Sequence, residues 1–157
     1  MKIEIHRHNQ VNAVDTTPAV SSTIQSLERL DFELARNTAS ELREAVLAML
    51  MVEGWSDSVK VAGNTNITIT SVRDRTGLCL QTGNMARFYA DFLKLQLVYQ
   101  NGHIDNALYC VFSKTTAVKM GSNLANFDRV VRELTLFRDI VTLPIYVLGM
   151  SAQEGAR

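Results

Sequence analysis

Apolar and polar residues alternate at the beginning of this 157-residue chain, which predicts a short strand with one buried face. Residues 1–8 read MKIEIHRH, and Ile3 and Ile5 alternate with polar side chains. If the two isoleucines point inward, His6 and His8 lie together on the outer face. No third ligand lies nearby in sequence, so we interpret the histidines as a solvated pair rather than as metal ligands.

A second alternating region covers residues 64–82, where two apolar runs flank the polar sequence RDRT. This arrangement predicts a β-hairpin whose tip holds Arg73 and Arg75. The second run, GLCLQT, places Cys79 and Gln81 on one face of its strand.

Helical spacing governs most of the remaining chain. Residues 22–53 predict one or two helices, with a break near residues 37–40, a cap at Ser40 and a stop at Gly54. Further along, Asn84 opens a predicted helix that runs to Gly102. The apolar stripe of that helix consists of Phe88, Phe92, Leu95 and Tyr99.

The last third of the sequence predicts two strands around one more helix. The run ALYCVF is typical of a central strand covered on both faces, and TLPIYVLGM indicates a final strand. Between them, GSNLANF begins with capping residues before an amphipathic helix. The order of elements predicts an α/β (or α+β) fold with a mixed sheet flanked by helices, in one domain over residues 1–150 with a tail at 151–157.

Charge, apolar content and cysteine positions limit which partners and metals the chain is expected to bind. The chain has 16 basic and 16 acidic residues, so any contact with nucleic acid needs a local positive patch. No apolar span of about 20 residues and no signal peptide appears, which predicts a cytoplasmic protein without a membrane partner. Cys79 and Cys110 lie in apolar runs without zinc-like spacing, so we expect buried thiols and no metal site.

The string ITSVRDRTGLCLQTGN, followed by NGHID, MGSNLANF and LPIYVLGM, resembles the catalytic half of the BglII-type type II restriction endonucleases. The opening MKIEIHRH resembles the start of the same family. This resemblance implies a restriction-endonuclease-like PD-(D/E)XK core that acts as a homodimer on palindromic double-stranded DNA.

The resemblance also implies which residues occupy the active-site positions. In that family the hairpin carries an Asp on its first strand and a Glu-x-Gln on its second, and the acids bind Mg²⁺. Without gaps, these positions fall on Thr70, Cys79 and Gln81. Mg²⁺ prefers charged oxygen ligands, so we expect a degenerate phosphodiesterase site and no cofactor unless an acid has relocated. Glu53 and Asp57 are the candidates for such a relocated acid.

Six residues are candidates for DNA contacts, because the resemblance and the residue types place polar or basic groups at loops and helix starts. Each has a structural alternative: a helix cap for the polar residues and a solvated surface for the basic ones. The candidates are Asn84, Arg87, Ser122, Asn123, Arg73 and Arg75.

The preferred function is therefore a restriction-endonuclease-like protein that acts on double-stranded DNA, with weak or no cleavage. The alternative is a non-enzymatic protein-interaction scaffold that keeps the nuclease fold, since a retained fold does not imply a retained function. Surplus apolar residues on the long helix, Leu47, Met49 and Met51, suggest part of a homodimer surface.

Overall fold

The computed structural model describes residues 1–9, 16–33 and 38–151. Five helices and seven strands lie within these ranges, in the predicted order with some additions. In chain order they are β1 (Lys2–His8), α1 (Pro18–Arg29), α2 (Ala39–Val52), β2 (Val59–Lys60), β3 (Thr68–Ile69), β4 (Ser71–Arg73), β5 (Thr76–Gln81), α3 (Arg87–Gln100), β6 (Asn106–Phe112), α4 (Lys114–Met120), α5 (Phe127–Leu136) and β7 (Ile145–Ser151).

A five-stranded mixed sheet forms the centre of the molecule, with the strand order β1-β7-β6-β5-β4. Strand β6 pairs in parallel with both β5 and β7, whereas the outer strands β1 and β4 pair antiparallel with their neighbours. The predicted mixed sheet is confirmed, and β6 is central as its unbroken apolar sequence indicated. Strands β2 and β3 form a separate two-stranded sheet.

Helices cover the sheet on both faces. Leu78 and Leu80 of β5 belong to the core shared with α1, α2 and α4. Cys79 of the same strand belongs to the opposite core, which α3 and α5 cover. The predicted separation of Cys79 from the two leucines is therefore confirmed, because successive side chains of a strand point to opposite faces.

The region predicted to hold one or two helices, residues 22–53, contains two, α1 and α2. The first helix begins at Pro18 rather than near residue 22, because the Thr17 hydroxyl accepts from the Val20 amide and proline suits the first turn. Ser40 does not cap the second helix but lies inside it, one residue after its start. Gly54 follows that helix with φ +83°, a conformation that favours glycine. Residues 34–37 lie outside the described residues.

Strand β1 forms as predicted, but the predicted orientation of its side chains is confirmed only for Ile3, which packs against the core. It is wrong for Ile5 and His8. His8 is buried, with Nε2 2.7 Å from the carbonyl oxygen of Val141, and Ile5 is 41% exposed. The strand lies at the edge of the sheet, and the segment after α5 covers its His8 end. Burial lowers the pKa of His8, and burial together with His8 lowers the pKa of His6.

The predicted hairpin is present as β4 and β5, with Asp74 and Arg75 forming its turn at φ 47° and 59°. Two positive φ values match the two-residue turn that follows the twist of a hairpin. The first predicted strand is interrupted at Thr70, and its earlier part, β3, pairs with β2 instead of β5.

Helix starts in the second half differ from the predictions. Helix α3 begins at Arg87, three residues after Asn84, and Asn126 caps α5 in place of Ser122 or Asn123. The short helix α4 was not predicted. Strand β7 extends one residue into the predicted tail, to Ser151, and residues 152–157 lie outside the described residues. In the described part of the chain no helix is long and apolar enough to cross a membrane.

Candidate functional site

A cavity of about 740 Å³ lies beside the C-terminal half of β5, between α2 and α3. It exists because β4 is short: strand pairing with β5 ends at Ser71 and Leu78. The last residues of β5 consequently have a free edge, and side chains rather than another strand fill the space beside it. The three predicted active-site positions, Thr70, Cys79 and Gln81, all line this cavity.

Side chains satisfy the backbone of β5 at Leu80. Its amide donates to Oγ1 of Thr70 at 3.1 Å, and its carbonyl oxygen accepts from Nη1 of Arg43 at 2.7 Å. A buried strand edge needs such partners, since an unpaired backbone group away from water costs about 1–3 kcal/mol. Thr70 therefore stabilises the sheet edge, and Arg43 retains further donors that are not used by Leu80.

Cys79 is an uncharged thiol at this site. Its side chain is buried, and burial first, then the nearby Asp91 carboxylate, raises its pKa far above the usual thiol range. A thiolate is the form that attacks or binds metal. Cys79 therefore contributes volume rather than charge.

A hydrogen-bonded network joins Gln81 to helix α3. Gln81 Nε2 donates to Oδ2 of Asp91 at 2.7 Å, and Tyr109 donates its hydroxyl to the same oxygen at 3.2 Å. Lys94 Nζ lies 3.2 Å from Oδ1, the other oxygen of Asp91. The carboxylate is thus held by three donors, and the amide oxygen of Gln81 in turn accepts from the Gly83 amide at 3.0 Å.

Asp91 is the acid that sequence reasoning missed. Glu53 and Asp57 were the predicted candidates for a relocated carboxylate. Asp57 lines the cavity, whereas Glu53 does not line it and accepts hydrogen bonds from Thr23 and Ser26. The sequence did carry a signal for Asp91, because it lies three residues after Phe88 and four before Leu95, on the face of the apolar stripe. In the structure it is 8% exposed. An acid within a buried stripe requires partners, and this one has three.

The predicted polar DNA contacts come together on one surface. The Met85 amide donates to the carbonyl of Asn123 at 3.0 Å, and the Ala125 amide donates to the carbonyl of Gly83 at 2.9 Å. These bonds join the loop before α3 to the loop before α5, so Asn84, Ser122 and Asn123 are exposed side by side. Asn84 Oδ1 also accepts from the Ala86 amide at 2.8 Å, which leaves its amide nitrogen available.

The predicted basic contacts divide between two places. Arg87 begins α3 and lines the cavity. Arg73 and Arg75 lie at the opposite end of β5, about 17 Å away along the strand. Arg73 contacts Glu53 and Ser22, and Arg75 pairs with Asp105, so each of these two arginines already has a carboxylate partner.

The residues at the cavity do not fit the Mg²⁺ ion that the resemblance implies. Thr70 is neutral and bonds the backbone, Cys79 is a buried thiol, and Asp91 already accepts from three donors. Within residues 1–9, 16–33 and 38–151, no group of three or more His, Cys, Asp or Glu is placed to hold a metal ion.

One family model and several solved structures are similar to this chain. The model of the family described as restriction endonuclease BglII/BglIII matches residues 3–150. Two similar solved structures are restriction endonuclease BglII complexed with a DNA 16-mer (11% identity, TM-score 0.84) and free BglII (12% identity, TM-score 0.76). Each match covers 99% of this chain, and 81% and 82% of the respective BglII chains. The comparison with curated proteins gives no significant match. On the match of the family model over nearly its whole length, the chain belongs to the BglII/BglIII restriction endonuclease family.

Proposed function

We propose that this protein binds double-stranded DNA through the cavity and the adjoining loops, and that it does so without the metal-dependent cleavage of its family. The observation that carries the proposal is the chemistry of the three active-site positions. Neutral Thr70 and Cys79 replace the metal-binding acids, while Gln81 and the polar surface beside it remain.

Several features support a DNA partner. One BglII structure of the same fold was solved with a DNA 16-mer. Asn84, Ser122 and Asn123 lie on one exposed surface, and an Asn amide can pair with adenine through two hydrogen bonds. The cavity next to this surface is lined by Arg43, Arg87 and Lys94, residue types that bind backbone phosphates.

A homodimer is part of the proposal. The surplus apolar residues of α2 are not a simple outer stripe, since Leu47 is half-buried and lines the cavity with Met51. Helix α3 instead exposes Tyr89, Leu93 and Leu97 at four-residue spacing, a surface that suits a second copy. Sedimentation of the protein and of a Leu93→Glu variant tests this part of the proposal, and a monomeric parent protein contradicts it.

The scaffold alternative has the same exposed stripe on α3 in its favour, with another protein in place of the second copy. It predicts a folded protein that ignores DNA. The DNA proposal predicts binding that weakens steeply as salt rises, because bound phosphates release counterions.

The deciding experiment incubates the purified protein with a random duplex library at low salt, with and without Mg²⁺, and sequences bound and cut molecules separately. We expect bound, uncut duplexes. Cut duplexes contradict the proposed loss of cleavage, and no bound duplex at low salt contradicts DNA binding altogether.

An Asn84→Ala variant sharpens the result. If Asn84 reads a base, its loss relaxes the selected sequence at one position by about 1–3 kcal/mol of discrimination. Asn64→Ala, in an exposed loop outside the cavity lining, is the matched control.

A further inference from the structure

The residues that line the cavity give it a net positive charge without any bound ion. Arg43, Arg87 and Lys94 contribute three cations, and Asp57 and Asp91 contribute two carboxylates. With Asp and Glu at positions 70 and 79, as the family pattern has, the same cavity would hold four carboxylates against three cations. Such a cavity would repel a phosphate unless a divalent cation neutralised it.

The two replacements therefore change what the cavity attracts as well as what it can catalyse. Thr70 and Cys79 remove two negative charges, and the balance changes from an excess of carboxylates to an excess of cations. An anion can now enter without a metal to accompany it.

Lys94 is the residue placed to provide that charge. Its side chain is 28% exposed and lines the cavity. Its Nζ lies 3.2 Å from Asp91 Oδ1, and Asp91 is fixed by Gln81 and Tyr109 on its other oxygen. An ammonium group has three donors, so one bond to Asp91 leaves others for a ligand.

We propose that Lys94 is a built-in replacement for the divalent cation of this site, so that the cavity binds a backbone phosphodiester of DNA independently of metal. The inference rests on the proposed function for the identity of the larger ligand. It goes beyond that function because it names the cation and the phosphate class at the site. Arg43 and Arg87 supply the surrounding positive charge, and Asp91 is a positioning residue that orients the ammonium.

The first test measures duplex affinity at equal ionic strength in EDTA and in Mg²⁺. We expect no gain in affinity on addition of Mg²⁺, because the cavity needs no metal to accept the phosphate and Mg²⁺ competes for the phosphates of the duplex. The plot of log K against log salt has a negative slope. In EDTA, Lys94→Met should make this slope shallower by about 0.9, the value for one phosphate contact. If parent and variant bind equally at 1 M salt, this difference in slope makes the variant bind about eightfold more weakly at 0.1 M salt.

Two variants control for charge and for folding. Lys94→Arg keeps the cation and is expected to keep the slope. Lys2 is an exposed lysine of β1 that does not line the cavity. Lys2→Met is therefore expected to leave the slope unchanged. Circular dichroism checks that each variant is folded.

A second arm tests the site without the duplex. The dinucleotide dTpdT, with a single phosphodiester, is titrated in EDTA while the amide resonances of Gln81 and Gly83 are followed by NMR. We expect saturable shifts in the parent protein that Lys94→Met abolishes and Lys94→Arg restores.

The outcomes separate the two proposals. Duplex binding that requires Mg²⁺, an unchanged slope in Lys94→Met, or no saturable dTpdT shift each overturns the role of Lys94 and leaves DNA binding in place. Saturable dTpdT shifts that depend on Lys94, without any duplex binding, support the phosphate site and overturn the larger DNA function.

Discussion

Two acid–cation pairs lie near opposite ends of β5, and they differ in nearly every respect. At the turn end, Arg75 bonds Asp105 in a bidentate arrangement with two contacts of 2.8 Å, and the two side chains are 55% and 62% exposed. At the cavity end, Lys94 makes a single contact of 3.2 Å with Asp91, and the side chains are 28% and 12% exposed. The turn end therefore has the better hydrogen-bond geometry, and the cavity end has the lower exposure.

Hydrogen-bond geometry alone therefore does not show which ion pair contributes more to stability. Water screens the exposed pair, and such pairs contribute little to stability. The buried carboxylate of Asp91 also accepts from Gln81 and Tyr109. If that carboxylate is removed, these two buried donors lose their acceptor and water does not replace it. Substitutions at the cavity end should consequently lower the free energy of unfolding more than substitutions at the turn end.

The largest effect is expected for Cys79→Glu. The new carboxylate would lie in a buried position beside Asp91, and an uncompensated buried charge costs about 3–5 kcal/mol of unfolding free energy. Combining it with Thr70→Asp places acids at both proposed metal-binding positions, so Mg²⁺ should stabilise the double variant by about 1.4 kcal/mol at ten times its dissociation constant. Thermal unfolding with and without Mg²⁺ measures both effects.

Cys110→Glu is the matched control, because Cys110 is equally buried on the adjacent strand but in the opposite core. Burial raises the pKa of the Cys110 thiol to about 12. This variant should be destabilised and gain nothing from Mg²⁺. Equal stabilisation of the control, or none of the double variant, would show that positions 70 and 79 do not form the family site.

An intermediate effect is expected for Asp91→Ala. It leaves the Gln81 amide and the Tyr109 hydroxyl without their acceptor, at a cost of about 2–3 kcal/mol. Burial first, and Asp91 second, raises the pKa of Tyr109 well above its usual value, so its hydroxyl stays protonated and must donate. Asp105→Ala at the turn end should cause only a slight loss in the same urea titration, because its partner Arg75 is exposed and can be solvated. Equal losses in the two variants would contradict the contrast.

The smallest effect concerns pH at the turn end. Hydrogen bonding to Arg75 lowers the pKa of Asp105, so the pair stabilises the protein above the unfolded pKa of this carboxyl. That contribution is lost as pH falls through the lowered pKa of the folded state. Arg75→Ala should therefore show a slight deficit at neutral pH that disappears in acid. A deficit that persists in acid would indicate that Arg75 acts through Gly102, whose carbonyl it also contacts at 2.9 Å.

Secondary structure was predictable where local signals were strong. Alternation predicted β5, an unbroken apolar run predicted the central strand β6, and Gly54 and Gly102 ended helices with positive φ as expected. Side-chain orientation in β1 was not predictable, because the burial of His8 depends on Val141, which lies more than 130 residues away in sequence. Helix starts also failed, since the loops before α3 and α5 pair with each other.

The order of the main elements and the resemblance to the family could be read from the sequence, as could the prediction that neutral residues stand at the two metal-binding positions. These depend on residue types and on local spacing. The folded arrangement is what brings Asp91, Lys94 and Arg43 to Gln81 at one cavity, and what places Arg73 and Arg75 near the opposite end of β5. The physical reason is that charge balance at a site is a sum over side chains from distant elements, and sequence spacing carries no information about that sum.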